Sequence, residues 1–225
     1  MGSSQHKSII VTTNDQKPLR VFIGGLRAAG TYIEGKTTVL NVEKFGKDAV
    51  ANPTIGVELV KIEVNNTSLL VIEEGGRSRT RAFRRVYYRG ASGLIFVVDA
   101  TDRERINEVR DELLQLSKEE ELQNKPILIF ANKQDLFNPM SLDEIQEKIN
   151  LTTLNENVKW HLQPACAIQN EGLNEGFQWL ANSMAKKVDT ITPVKETIDD
   201  LSTLEHRLMS LWNMGNFKTL WSKFV

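Results

Sequence analysis

Pro126-Ile127-Leu128-Ile129-Phe130-Ala131-Asn132-Lys133-Gln134-Asp135 is the stretch on which the reading of this chain turns. Residues 127–131 are apolar without a break, the mark of a central parallel strand covered on both faces. A polar tetrapeptide follows at once. Side chains leaving the carboxyl end of such a strand converge on a crevice where ligands bind. Asp135, an acceptor-only carboxylate, can take hydrogen bonds from both N1–H and the N2 amine of guanine, a donor pair that adenine lacks. Asn132 can tether neighbouring loops, and the stem of Lys133 can lie over the base. An ordinary solvated turn is the alternative. The position directly after a buried strand favours the base.

Working outward, short apolar runs alternate with stretches of helical period. Segments 19–24, 57–64, 68–72, 94–99, 127–132 and 160–164 read as strands. Segments 36–45, 105–117, 142–149 and 173–187 read as helices. Asn65-Asn66 is a hairpin signal, so the second and third strands should be antiparallel neighbours. The rest should wind right-handedly into a mostly parallel six-stranded sheet with helices on both faces, an α/β fold. Downstream, Cys166-Ala167 follows the sixth strand, and a backbone N–H there can meet the guanine carbonyl oxygen.

Upstream, Gly25-Leu26-Arg27-Ala28-Ala29-Gly30 follows the first strand, and Gly35-Lys36-Thr37-Thr38 opens the first helix. A phosphate cradle needs glycines that let backbone N–H groups turn inward, a lysine for the β- and γ-phosphates and a hydroxyl for magnesium. Gly25, Ala28, Ala29, Gly30, Gly35, Lys36, Thr37 and Thr38 supply these parts. The spacing departs from the usual motif: Thr31-Tyr32-Ile33-Glu34-Gly35 reads as five extra residues. Its borders are compatible with those of a retained short intron. Whatever its origin, the stretch is expected to loop outward and to weaken binding. Thr54, on a Pro-Thr loop before the second strand, can give magnesium a second hydroxyl oxygen. Gly76, after the third strand, permits close backbone approach to a γ-phosphate.

Composition narrows the class. The chain has 225 residues, a formal net charge of −1 and one cysteine, Cys166. No internal disulfide can form, and a reducing cytoplasmic setting fits. Near-neutral charge excludes a global pull toward nucleic acid. Arg77, Arg79, Arg81, Arg84, Arg85 and Arg89 form one basic run interleaved with Phe83, Tyr87 and Tyr88. It reads as a basic helix presented to a partner, with a nucleic-acid patch as the weaker reading. Residues 1–18 read as a polar extension without the hydrophobic core of a signal peptide. Myristoylation of Gly2 is disfavoured by His6. Residues 188–197 read as a linker. Residues 198–225 read as an amphipathic helical addition whose Trp212, Trp221 and Phe224 call for cover, first by the domain itself and next by a partner groove.

Taken together, the motifs over 19–187 resemble the Arf/Arf-like family of small GTPases. Residues 93–103, including Gly93-Leu94-Ile95-Phe96-Val97-Val98-Asp99 and Asp102-Arg103, are similar to that branch in particular. The resemblance implies a P-loop small-GTPase fold. It implies a GTP/GDP switch with slow hydrolysis that acts through effectors, served by an exchange factor and an activating protein. It implies Mg2+ held with the nucleotide by Thr37 and Thr54, and base contacts from Asn132, Lys133, Asp135, Cys166 and Ala167. It also implies peripheral contact with an endomembrane, although the amphipathic N-terminal helix of the family is not evident here. Three residues depart from the family's Trp-Asp-x-Gly-Gly-Gln. Ile72 stands for the tryptophan, Glu73 for the magnesium-supporting aspartate, and Arg77 for the glutamine that orients the attacking water. An arginine offers donors only and cannot accept from that water. Two outcomes therefore compete: a slow switch, or a pseudo-GTPase scaffold that binds nucleotide without cycling. An ATP-using P-loop kinase is disfavoured by Asn132-Lys133-Gln134-Asp135.

Overall fold

The computed structural model describes residues 17–26, 35–45, 57–74, 84–153 and 158–185. Six strands, β1 (Leu19–Gly25), β2 (Val57–Val64), β3 (Thr67–Glu74), β4 (Gly93–Asp99), β5 (Ile127–Asn132) and β6 (Trp160–Pro164), form one sheet in the order β2-β3-β1-β4-β5-β6. Every pairing is parallel except that of β2 with β3. Asn65 and Asn66 join those two with φ of 45° and 62°. Two successive left-handed residues make a turn whose twist suits the flanking strands, and asparagine tolerates that region better than most residues.

Among the described residues five helices flank the sheet: α1 (Lys36–Phe45), α2 (Arg84–Tyr88), α3 (Ile106–Ser117), α4 (Leu142–Ile149) and α5 (Leu173–Ala185). Alternation along the strands sends side chains to opposite faces. Leu94, Phe96, Val98, Ile127 and Ile129 pack in one core with Val109, Leu113 and Leu116 of α3 and Ile145 and Ile149 of α4. Ile95, Val97, Leu128 and Phe130 pack in the other with Val39 and Leu40 of α1 and Phe177 and Leu180 of α5. This two-sided burial is why β4 and β5 are apolar throughout. Helix α4 begins with a local signal: the Ser141 side chain accepts from the Glu144 amide at 3.1 Å. It ends at Asn150 in the left-handed region.

The basic run needs correction. Among the described residues its helix is only Arg84–Tyr88, and Tyr87 and Tyr88 are buried. Tyr88 stands edge-on to Phe22 with ring centroids 4.7 Å apart. The interleaved tyrosines are therefore core residues. Arg85, by contrast, is exposed and pairs with Glu119 at 3.3 Å. The expected extensions 1–18 and 188–225 fall almost wholly outside the described residues. By contacts, the chain divides into Met1–Val188 and Asp189–Val225.

Candidate functional site

The carboxyl ends of β1, β3, β4, β5 and β6 lie along one edge of the sheet, and Lys36, Thr37, Asn132, Lys133 and Ala167 stand at or just beyond strand ends on that edge. In register, Asp99 of β4 faces Asn132 of β5, and Ile23 of β1 faces Glu73 of β3.

Asn132 is the hub. It is buried, and its Oδ1 accepts from the Ala167 amide at 3.0 Å. Its own carbonyl accepts from the Ala100 amide at 3.0 Å. On a third side lies Gly35, where a Cβ would stand 2.2 Å from Asn132 Nδ2. One residue thus joins the loop after β4 through its carbonyl and the loop after β6 through its side chain, and lies against the start of α1. Gln134 adds a further link, its amide donating to Ala165 O at 3.2 Å.

Lys133 has φ of 67°, a conformation rare for a residue with a long side chain. Its Nζ donates to Asp99 Oδ2 at 2.6 Å. The other oxygen of Asp99 accepts from the Thr101 amide at 2.9 Å and the Thr101 hydroxyl at 2.7 Å. Burial alone would raise the Asp99 carboxyl, but the Lys133 and Thr101 hydrogen bonds outweigh it and hold the group below the ordinary carboxylate range. Asp99 is a site residue that none of the sequence motifs marks. Its signal was its place at the end of an apolar strand beside β5.

The loop after β6 is closed by paired bonds between Cys166 and Glu171 at 3.0 and 3.1 Å. The amides of Cys166, Ala167 and Gln169 are donated within the protein. Burial, and then the hydrogen-bonded Asp135 carboxylate, push the Cys166 thiol up to about 11. The neutral S–H thus serves as a donor that orients Asp135. A pKa raised on folding stabilises the protein fully below the unfolded value, about 8.5. That contribution is lost as pH rises through the folded value, about 11. Iodoacetamide should therefore leave the folded chain nearly unmodified at pH 8 and react increasingly toward pH 11, while urea-unfolded chain reacts near its ordinary pKa. Equal rates for folded and unfolded protein at pH 8 would refute this assignment.

At the phosphate end, Gly35 has φ of 94°, and its carbonyl accepts from the Val39 amide at 2.7 Å. Lys36 Nζ donates to Leu26 O at 3.1 Å, so the lysine reaches from the helix start back to the start of the loop despite the extra residues between. Buried Thr37 donates its hydroxyl to Oε1 of buried Glu73 at 2.7 Å. Thr38 follows Thr37 in the first turn of α1, partly exposed. Ala28, Ala29, Gly30, residues 31–34, Thr54, Gly76 and Arg77 lie outside the described residues. The donor set suits a hard divalent cation beside a polyphosphate: an oxygen from Thr37, a carboxylate at Glu73, and a lysine for the anion.

A mostly parallel sheet with Gly-Lys-Thr opening the helix after β1 and Asn-Lys-Gln-Asp closing β5 defines the small GTPases, switches that bind guanine nucleotide. Within that class, the ADP-ribosylation factor (Arf) family matches residues 6–184, and the chain belongs to it. Members of the family bind guanine nucleotide with Mg2+. The chain is similar to the solved structure of the Arl6 BBS3 small GTPase from Trypanosoma brucei with bound nucleotide analogue GppNp. The identity is 28% and the TM-score 0.67, over 76% of this chain and 99% of that one. Among the described residues, no helix is long and apolar enough to cross a membrane.

Proposed function

We propose that this chain is a GTP/GDP switch whose intrinsic hydrolysis is slow and which acts through effector proteins. The observation that carries the reading is the convergence of Asn132 on Gly35 and Ala167, which draws a base-end loop and a phosphate-end helix to one crevice. Asp135 takes the guanine N1–H and N2 amine. The stem of Lys133, held by Asp99, lies across the base. Lys36 meets the β- and γ-phosphates, and the amide of Gly76 meets the γ-phosphate. Thr37 and Thr54 offer hydroxyl oxygens to Mg2+, which when bound offsets phosphate charge. Arg77 occupies the position that orients the attacking water, and a donor-only side chain there cannot hold the water for attack.

A second reading, a scaffold that binds nucleotide without cycling, is favoured by the joint change at Glu73 and Arg77. Single-turnover hydrolysis separates the two. Related enzymes with the glutamine turn over at roughly 10⁻⁴ per second unaided. The wild type should be slower than that, and Arg77→Gln should speed it. Wild type hydrolysing as fast as Arg77→Gln would defeat the role given to Arg77. GTP bound no better than ATP would defeat the whole reading.

A further inference from the structure

We propose that Glu73 is itself a ligand of the divalent cation, bonded to it directly and not through a water. The inference rests on the nucleotide reading above. Glu73 and Thr37 are 2% and 5% exposed, and Thr37 Oγ1 donates to Glu73 Oε1 at 2.7 Å. With its proton committed to the carboxylate, the Thr37 oxygen keeps its lone pairs for a cation and becomes a stronger donor to it. Adjacent ligands of an octahedral magnesium ion, each bonded at about 2.1 Å, lie roughly 3 Å apart. A Glu73 oxygen already stands near that spacing from the Thr37 oxygen.

Reach supports the same conclusion. The position of residue 73 is set by the pairing of β3 with β1, where Glu73 is in register with Ile23. A carboxylate acting through a water stands roughly 4 Å from the metal, against about 2.1 Å for a direct bond. The additional methylene of glutamate over aspartate lengthens the arm by about 1.5 Å and closes most of that gap. A carboxylate this buried is also held best where positive charge meets it.

Direct ligation removes one water from the cation's shell. Magnesium dehydrates reluctantly and demands near-ideal octahedral geometry, whereas calcium accepts more varied shells. Cation preference should therefore shift away from magnesium relative to the aspartate variant.

The experiment uses the full-length chain loaded with GDP and Mn2+. Electron paramagnetic resonance in 17O-enriched water counts the waters on the manganese. Wild type should hold one fewer than Glu73→Asp. Glu73→Gln, which keeps the shape and loses the charge, should bind Mn2+ about tenfold more weakly than wild type. In stopped-flow release of fluorescent GDP, the ratio of off-rates in Ca2+ and Mg2+ should be smaller for wild type than for Glu73→Asp. Should the aspartate variant fail to fold, the water count of wild type alone decides. A shell in which a GDP phosphate and Thr37 are the only ligands other than water overturns the inference. So does a wild-type complex that holds no Mn2+. GDP binding measured in chelator separates the two levels: if GDP binds and the water count is unchanged, only the role of Glu73 falls. If GDP binds neither with nor without cation, the nucleotide reading falls with it.

Discussion

Gly35→Ala should cost this chain about 3–5 kcal/mol of GDP binding, a hundredfold loss of affinity or more. Two effects add. The backbone at residue 35 has φ of 94°, a region that a residue with a Cβ occupies only under strain. The new methyl would also stand 2.2 Å from Asn132 Nδ2. A flexible side chain would swing away cheaply, but Asn132 is 2% exposed and its Oδ1 holds the Ala167 amide. Relieving the clash therefore breaks the tether to the loop after β6 and spreads the damage from the phosphate end to the base end. The dissociation rate of fluorescent GDP measures the effect. A variant that releases GDP at the wild-type rate would show that Gly35 is not the closing glycine of the cradle, and would hand that role to Gly30.

Asp135→Asn should weaken GDP and GTP alike, by about 1–3 kcal/mol. The carboxylate is placed by the turn after β5 and by the Cys166 thiol, whose proton stays in place because burial and the carboxylate itself raise its pKa. An amide there presents a donor to a base edge that is itself a donor, so the loss exceeds that of one neutral hydrogen bond. Equal losses for GDP and GTP locate the effect at the base. A loss confined to GTP in competition titrations would instead locate it at the phosphates and contradict the placement of Asp135.

The parts of this fold that were legible in the sequence are those written in contiguous residues. Ile127–Asn132 is apolar in every position that the two cores cover, and Asn65-Asn66 sits where only a tight hairpin would want two left-handed residues. Strand ends moved by a residue or two: β3 begins at Thr67 and runs on to Glu74, because its pairing with β2 extends past the apolar run. The site was legible as motifs and not as contacts. Asp99 and Lys133 are separated by 34 residues, and Thr37 and Glu73 by 36. Nothing local in either segment announces the other; the parallel register of the sheet brings them together. Tyr87 and Tyr88 misled for the opposite reason. In a run of arginines they resemble a recognition surface, yet the sheet face beneath them needed covering, and they turn inward.

The tether at Asn132 has a consequence for how the protein opens. Its side chain and carbonyl hold amides from two loops that are far apart in sequence, Ala100 and Ala167, and it lies against a third segment at Gly35. Neither of the two hydrogen-bonded loops can loosen alone without leaving a buried polar group unmet. The edge of the sheet thus breathes as one cooperative unit, with the protons of Ala100 and Ala167 exchanging through a shared opening. Any ligand lodged against that edge raises the free energy of the opening for every loop at once, by RT ln(1 + [L]/Kd). Occupancy is thereby reported along the whole rim of the sheet, including positions that touch no part of the ligand.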